Sequence, residues 1–264
     1  MTRRATQRPP VVLIVLAAIG GLVFVAPLLG LLARTPWSRL GELFTSSVVL
    51  DALRVSLVTS LLAAALSVLL GVPLAYALAR IQFPGREVIR AIVTLPMVLP
   101  PVVGGAALLF AFGRSGLFGE ALDSGTGLTL PFSTGGVVLA NTFVAMPFLI
   151  ITVEGALRSL DPRHERAAET LGAGELLIFR RVTLPMIAPS LRAGIVLAWA
   201  RALGEFGATI TFAGNLQGRT QTLPLAVFVT LQSDRDAAIA ISLVLIAISL
   251  VLLVTLRDRW WVRS

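Results

Sequence analysis

The sequence offers few residues that could perform covalent or metal chemistry. It has no cysteine, one histidine (His164) and no lysine, because all 22 of its strongly basic residues are arginine. The lack of cysteine excludes thiol nucleophiles and iron–sulfur clusters, and the lack of lysine excludes a P-loop and a Schiff base. One histidine cannot form a two-histidine metal site. We therefore predict no catalytic residue, no metal, no cofactor and no enzymatic activity in this chain.

Two charged residues, Arg201 and Glu205, interrupt an apolar stretch at positions four apart. On a helix, that spacing places both side chains on one face. Counting from Arg192 puts Arg201 about 14 Å along such a helix, near the middle of a membrane. A charge at that depth costs at least about 2.5–3.5 kcal/mol on insertion scales. Both side chains are therefore expected to face protein or water and to avoid lipid.

The composition indicates that this pair belongs to an integral membrane protein. Hydrophobic residues make up 56% of the chain and charged residues 14%, with a mean hydropathy of +0.89, whereas soluble domains have about 45–50% and about 25%. A membrane helix needs roughly 20 apolar residues, and the charged residues separate five such runs. A sixth run is apolar except for Arg201 and Glu205. We predict a single all-α domain, 1–264, with spans at about 11–33, 55–79, 91–113, 134–157, 192–214 and 237–256.

Prolines interrupt several of the predicted spans, among them Pro73 in the second, Pro96, Pro100 and Pro101 in the third, and Pro147 in the fourth. Breaks at membrane depth are tolerated only where protein or a water-filled cavity satisfies the freed backbone groups. Two interpretations explain these prolines. One is ordinary kinks with close helix packing, and the other is a pathway lined by mobile helices. The sequence leaves both interpretations open.

The arginines are distributed unequally between the two sides of the membrane. If the N-terminus is cytoplasmic, fifteen arginines lie on the cytoplasmic side and six on the other. The positive-inside rule then places both termini in the cytoplasm. The basic residues flank helices and form no continuous patch with interleaved aromatic residues, so nucleic acid is not an expected partner.

The longest predicted cytoplasmic segment, at about 158–188, is expected to contain two short helices. Asp161 is a suitable N-cap with Pro162 at the first helical position, and Gly172 offers a left-handed stop. A second helical stretch over 175–182 is expected to end before Leu184 and Pro185. The two helices would form a compact projection that fits a groove on another protein.

Within this segment, RAAETLGAGELLIFRRVTLP resembles the EAA loop of ABC importer permeases. It departs from the family pattern at Arg166, where the family has glutamate, and at Val182, where it has isoleucine. Glu165, beside Arg166, is a candidate for the displaced carboxylate. In that family the loop forms the coupling helix that docks on a separate ATPase subunit. The resemblance therefore implies ATPase coupling by Glu165, Arg166, Ala167, Ala168, Gly172, Leu184 and Pro185.

Two further stretches, ARALGEFGATITFAGNLQGRTQTLPLAVF and TLPMVLPPVVGGAALLFAFGRSG, are similar to molybdate permeases of the MetI-like class. The likeness covers about 53–253. It implies a MetI-like permease fold in the bacterial inner membrane, as a homodimer in contact with membrane lipid. It also implies two copies of an ATP-binding subunit and an extracytoplasmic oxyanion-binding protein. The implied function is import of molybdate, or tungstate, driven by ATP hydrolysed on the partner subunit.

Three alternative functions are considered beside molybdate import. A sulfate/thiosulfate permease shares the Ala-Leu-Gly-Glu core, and the solute bound by the cognate binding protein would distinguish it. An intramembrane enzyme would need a nucleophile–base pair or metal-binding carboxylates within the spans, where the only predicted charges are Arg201 and Glu205. A self-contained secondary transporter would take up solute without ATP.

For an oxyanion permease, the mid-membrane pair has two interpretations. Arg201 and Glu205 neutralise each other and fix helix packing, or they line the translocation pathway together with Thr209. In the second case Arg201 attracts the ion, while Glu205 prevents tight trapping or forms a gate contact.

Overall fold

The computed structural model describes residues 10–257, with side chains up to residue 254. Every regular element in this range is helical. The two termini and the arginines that flank them, which contribute to the predicted orientation, lie outside the described residues. The α-helices in chain order are α1 (Val11–Ala33), α2 (Leu40–Phe44), α3 (Ser47–Arg80), α4 (Arg86–Thr94), α5 (Pro101–Phe112), α6 (Gly119–Thr126), α7 (Thr134–Ser159), α8 (Arg163–Thr170), α9 (Glu175–Ile178), α10 (Leu184–Leu203), α11 (Gly207–Phe212), α12 (Leu223–Ser233) and α13 (Arg235–Arg257).

Five helices in the described range are long and apolar enough to cross a membrane. They are α1, α3, α7, the continuous helix Glu175–Leu203 and the Arg235–Val254 part of α13. A bent pair, Arg86–Met97 with Pro101–Phe112, makes a sixth candidate if it counts as one span. The predicted all-α, polytopic fold class is confirmed. The first predicted span coincides with α1, whereas the second begins earlier, at Ser47.

The third predicted span, 91–113, is not one straight helix. α4 continues into a 3₁₀ turn, Leu95–Met97, and the chain then bends by 118° before α5. Pro100 is the N-cap of α5 and Pro101 lies in its first turn. Proline has no N–H and its ring clashes with the preceding turn, so consecutive prolines end one helix and begin another.

The fifth predicted span, 192–214, was wrong in both its start and its continuity. The helix starts far earlier, at Glu175, and ends at Leu203 with Gly204 as its C-cap. The chain then crosses two non-helical residues and starts again as α11 at Gly207. The mean hydropathy of the segment indicates a membrane span but gives no information on this break. The helix α12, Leu223–Ser233, was also absent from the prediction.

The packed centre consists of α3, α7 and α10. Their buried residues form one cluster that includes Ala63, Ala75, Leu78, Ala145, Leu149, Val153, Leu157 and Ile187. Small residues allow this contact: a Cβ on Gly71 of α3 would lie 3.0 Å from the Cδ2 of Leu149. Close approach through small residues is the usual way in which membrane helices associate.

One face of α3 is lined with buried hydroxyl groups that bind three other helices. The Ser56 Oγ accepts the Leu223 N–H at 2.7 Å, and the Trp199 indole donates to the Ser60 Oγ at 3.0 Å. Thr59 receives a weak hydrogen bond, 3.5 Å, from the Asn141 amide of α7. α3 therefore connects α7, α10 and α12 through polar contacts inside an apolar bundle.

Candidate functional site

The segment that resembles the EAA loop begins with α8. The Asp161 carboxylate accepts the backbone N–H of Arg163 at 2.9 Å, and Pro162 is the N-cap. The helix thus starts one residue later than predicted, with Asp161 still satisfying a free N–H group of its first turn.

Gly172 ends this helix in the left-handed conformation, as predicted, with a φ of 80°. Its N–H donates to the Glu169 carbonyl at 2.9 Å, and the Ala173 N–H donates to the Ala168 carbonyl at 3.1 Å. These two bonds form a Schellman motif, in which an αL residue just past the helix satisfies its last carbonyls. The chain direction after α8 is fixed by this turn.

Glu165 attaches α8 to the rest of the chain. Its carboxylate lies 3.0 Å from the Arg80 guanidinium at the end of α3, and it accepts the Thr183 hydroxyl at 2.7 Å. The Glu165 side chain is mostly buried, whereas Arg166 is exposed. Glu165 therefore makes the internal contacts, and Arg166 points away from the protein interior. The Nε of Arg80 is buried and has no hydrogen-bond partner in the described structure.

The second predicted helix, 175–182, does not end before Leu184 and Pro185. α9 passes through a π-helical turn, Phe179–Thr183, directly into α10. Pro185 lies just after the π-helical turn, within the continuous helix Glu175–Leu203. Leu184 packs against the central cluster and Pro185 is exposed. The α9 part of the segment is consequently continuous with the membrane helix α10.

The outer surface of this segment is apolar with a basic border. Leu171 is 89% exposed and Leu176 is 71% exposed, and Ala167 is an exposed residue with a small side chain. A groove beside them is bordered by Arg180 and Arg181. Exposed apolar groups rimmed by charge are typical of a protein interface.

At the other end of α10, Glu205 is buried at the break between α10 and α11. One carboxylate oxygen lies 2.5 Å from an Arg201 guanidinium nitrogen, and the other accepts the Ala208 N–H at 2.7 Å. The Glu205 side chain is 1% exposed and that of Arg201 is 27% exposed. Glu205 is therefore both the counter-ion of Arg201 and an anionic cap on the first turn of α11. The pair does not share one helix face, since α10 ends before Glu205.

Thr209 is fully buried and belongs to a polar network. Its hydroxyl donates to the Asn141 side-chain oxygen at 3.3 Å, and the Asn141 amide reaches Thr59. The structure thus buries Glu205, in the break before α11, and Thr209, on α11, whereas Arg201 keeps an accessible surface. Asn141 and Thr59 were not predicted as part of this region, because their contacts join residues far apart in the sequence.

α5 and α11 touch backbone to backbone beside this pair. A Cβ on Gly105 would lie 2.7 Å from the Ala208 carbonyl oxygen, and a Cβ on Gly207 would lie 2.7 Å from the Cβ of Pro101. Two helices that start at breaks in the membrane region therefore meet next to Arg201 and Glu205. Interrupted helices of this kind commonly surround transport sites.

Residues 67–263 match the family model described as "Binding-protein-dependent transport system inner membrane component". The chain belongs to this family. It is the membrane-embedded permease component of such a system and not the ATPase. Such a permease is a multi-pass protein of the inner membrane, and systems of this type include an ATPase and a periplasmic binding protein as partners.

Among the described residues, no group of three or more His, Cys, Asp or Glu side chains could hold a metal ion.

Several members of this family are closely similar to the chain. The molybdenum transport system permease protein ModB of Mycobacterium tuberculosis is 49% identical over 237 residues, or 89% of each chain. The corresponding protein of Escherichia coli K12 is 41% identical, over 81% of this chain and 93% of its own length. The sulfate transport system permease protein CysT of Escherichia coli K12 is 38% identical, over 90% and 88%.

The fold is also that of a solved transporter. A chain in the crystal structure of a bacterial ABC transporter involved in the import of alginate superposes with a TM-score of 0.74. The match covers 96% of this permease and 95% of that chain at 19% sequence identity. This likeness supports the fold alone.

Proposed function

We propose that this permease forms the translocation unit of an ATP-driven importer for molybdate, as one transmembrane domain. The observation that carries the substrate is the sequence identity of 49% to a molybdenum permease over 89% of both chains, against 38% to a sulfate permease. Sulfate or thiosulfate is the second candidate, because that relative matches as much of the chain, 90% against 89%. Molybdate and sulfate are both tetrahedral dianions, so one scaffold suits either.

The substrate is tested by uptake into proteoliposomes. The permease is reconstituted with its ATP-binding subunit and its binding protein, and uptake of molybdate, tungstate and sulfate is measured with ATP and with a non-hydrolysable analogue. We expect ATP-dependent molybdate uptake, competition by tungstate, and at least about tenfold weaker competition by sulfate, a difference of only about 1.4 kcal/mol. Preferred sulfate uptake would establish the second candidate. Uptake without ATP would indicate a secondary transporter.

The assembly we propose has two copies of the permease, two ATP-binding subunits and one extracytoplasmic oxyanion-binding protein. In the described structure no residue of α1 or α4 is buried, although both helices are rich in apolar residues. Lipid and a second copy would cover these faces. The homodimer gives a shared pathway between two copies of the Arg201 region.

We propose that both termini and the segment that resembles the EAA loop lie in the cytoplasm. Side-chain contacts sort the helix ends into two sets. The arginine-rich set is joined by the pairs Arg80–Glu165 and Arg90–Glu154, and the opposite set by the contacts Arg39–Asp236 and Gln217–Asp51. The positive-inside rule places the first set in the cytoplasm.

We propose that α8 is the coupling helix. Ala167 and Arg166 would contact the ATPase subunit, and Glu165 and Ala168 would hold α8 in place from behind. Gly172 sets the turn that follows, and Leu184 and Pro185 join the segment to α10. The exposed leucines just after α8 and on α9, Leu171, Leu176 and Leu177, support this docking role.

Replacing Gly172 by alanine is expected to weaken ATPase docking, because an L residue at a φ of 80° is strained by about 1–3 kcal/mol. The measurement is the amount of ATP-binding subunit that co-purifies with the permease. Gly174→Ala is the matched control, since Gly174 has a φ of −71° and neither site has an atom within 4 Å of a new Cβ. Equal co-purification of the two variants would contradict the coupling role of this turn.

We propose that Arg201 attracts the oxyanion within the membrane and that Glu205 and Thr209 support it from inside the protomer. The partial exposure of Arg201 beside the first turns of α5 and α11 supports this assignment. Glu205 keeps the site from carrying a full unpaired positive charge, which would hold a dianion too tightly for transport.

A further inference from the structure

Three charged side chains that play no part in the proposed pathway meet near the coupling end of the bundle. One Glu154 carboxylate oxygen accepts from the Arg90 Nη2 at 2.7 Å and from the Arg90 Nε at 3.0 Å. The same oxygen lies 3.0 Å from a guanidinium nitrogen of Arg158. The Arg90 Nη2 also donates to the Leu78 carbonyl at 3.3 Å, and Arg90 pairs with Glu87 on its own helix.

Glu154 is a buried carboxylate within a membrane-spanning helix. Its side chain is 7% exposed, and the Arg90 side chain is 21% exposed. Removing charges from water is costly, so an ion pair at such a depth adds little stability compared with well-packed apolar side chains. A cluster of this kind is better suited to fixing one arrangement of helices over others.

The cluster is the main polar attachment of α4 to the bundle. No residue of α4 is buried in the described structure. Besides Arg90, this helix contributes Val93, which packs against the central cluster. The bonds of Arg90 to Glu154 and to the Leu78 carbonyl are therefore the side-chain hydrogen bonds that hold α4 against α7 and α3 in the described structure.

On one side, the cluster leads to the coupling helix. Glu154 and Arg158 lie in the last two turns of α7, which ends at Ser159, and α8 begins at Arg163. The end of α3 joins the same region, because Arg80 binds Glu165 of α8 two residues after Leu78. A displacement of α8 by an ATPase subunit would reach the residues that hold Arg90 through the short connection from α7 to α8 and through the Arg80–Glu165 pair.

On the other side, the cluster leads to the membrane interior. α4 continues through the bend at Pro100 and Pro101 into α5. α5 is in backbone contact with α11 at Gly105, and α11 is capped by Glu205. A movement of α4 would therefore shift the elements that surround Arg201.

We propose that Arg90, Glu154 and Arg158 form an ionic joint that transmits displacement of the coupling helix to the broken helix α4–α5. They are positioning residues for coupling, and this role rests on the proposed function. Packed helices and ion pairs adopt discrete arrangements and carry coupling between distant sites when both sites bias the same element. Without the joint, α7 can move while α4 stays in place.

The test compares Arg90→Gln with Arg86→Gln in the reconstituted complex. Arg86 lies on the same helix and pairs only with the exposed Glu87 in the described structure. We expect Arg90→Gln to leave the amount of assembled complex near wild type while oxyanion uptake per ATP hydrolysed falls at least about fivefold, the lower end of typical coupling between sites. Arg86→Gln should keep the wild-type ratio. A wild-type ratio in Arg90→Gln, or a loss confined to the amount of complex, would overturn the joint.

A charge-reversed variant distinguishes loss of the ionic contacts from loss of the Arg90 side chain itself. Arg90→Glu combined with Glu87→Gln, Glu154→Arg and Arg158→Glu restores attraction among positions 90, 154 and 158 and removes the repulsion that Glu87 would exert on a carboxylate at position 90. This quadruple variant should recover part of the uptake per ATP hydrolysed that Arg90→Gln loses. A quadruple variant as defective as Arg90→Gln would overturn the proposal.

A substrate-free readout keeps this inference distinct from the proposed function. Since the chain has no cysteine, Val103→Cys on the exposed side of α5 is a unique maleimide site. Its labelling rate should change when ATP binds to the complex, and Arg90→Gln should abolish that change. An unaltered change in Arg90→Gln would overturn the joint whichever ion is transported. Failure of the wild-type complex to import any oxyanion would count against the proposed function alone.

Discussion

Replacing Glu205 by glutamine is expected to remove most of the assembled permease from the membrane. Glu205 is the counter-ion of Arg201 at 2.5 Å and also accepts the Ala208 N–H at 2.7 Å. Removing one partner of a buried ion pair costs about 3–5 kcal/mol, and the cost here lies near the lower end because Arg201 is 27% exposed. An amide at position 205 retains the acceptor for Ala208 but leaves Arg201 without a counter-ion.

The double variant, Arg201→Met with Glu205→Gln, distinguishes the two interpretations of this pair. Assembly should return, because no unpaired charge is left inside the membrane region. If Arg201 attracts the ion, uptake per assembled complex should stay at least about tenfold below wild type, the low end of the effect of charge on local ion concentration. The apolar side chain of the methionine cannot replace the water molecules that hydrate a dianion.

The measurements are the amount of complex purified from membranes and the molybdate uptake per complex. Arg192→Met is the control, because Arg192 is an exposed arginine of the same helix about 14 Å before Arg201. It should affect neither quantity. Wild-type uptake per complex in the double variant would assign the pair a packing role only and remove Arg201 from the pathway.

The sequence predicted those features that depend on local composition. Apolar runs bounded by charged residues predicted α1, and the extents of α7 and α13 to within about two residues. The stop at Gly172 followed from the preference for glycine at left-handed helix ends. Each of these inferences needs information from only a short stretch of chain.

The remaining features depend on contacts between distant residues. The break after Leu203 is stabilised by Glu205, which reads in the sequence as one more helical residue. Glu154 marked only the end of an apolar run, and its bond to Arg90 joins residues 64 positions apart. The consecutive prolines Pro100 and Pro101 indicated a break, and only tertiary packing determined the bend of 118°. Hydropathy and spacing carry no information on such pairs.

Adding a single methyl group at Gly105 is expected to destabilise the permease strongly. A Cβ there would lie 2.7 Å from the Ala208 carbonyl oxygen and 2.9 Å from the Ala208 Cα, and both atoms belong to the backbone of α11. A side chain can rotate away, but this backbone can move only if α11 separates from α5. Overpacking of this kind typically costs about 1–3 kcal/mol, and occasionally more.

Gly104→Ala is the matched control, because its new Cβ would meet the Phe143 ring at 3.2 Å, a side chain able to shift by a few tenths of an ångström. Thermal unfolding of the two purified variants in detergent gives the comparison. For a protein of about this size, each kcal/mol lowers the midpoint by about 2–4 °C, so Gly105→Ala should unfold well below Gly104→Ala. It should also transport poorly per assembled complex, since separation of α5 from α11 displaces the helix that Glu205 caps. Equal midpoints and equal uptake in the two variants would show that α5 and α11 are not in close contact, and the route from the ionic joint to Arg201 would then be interrupted at this position.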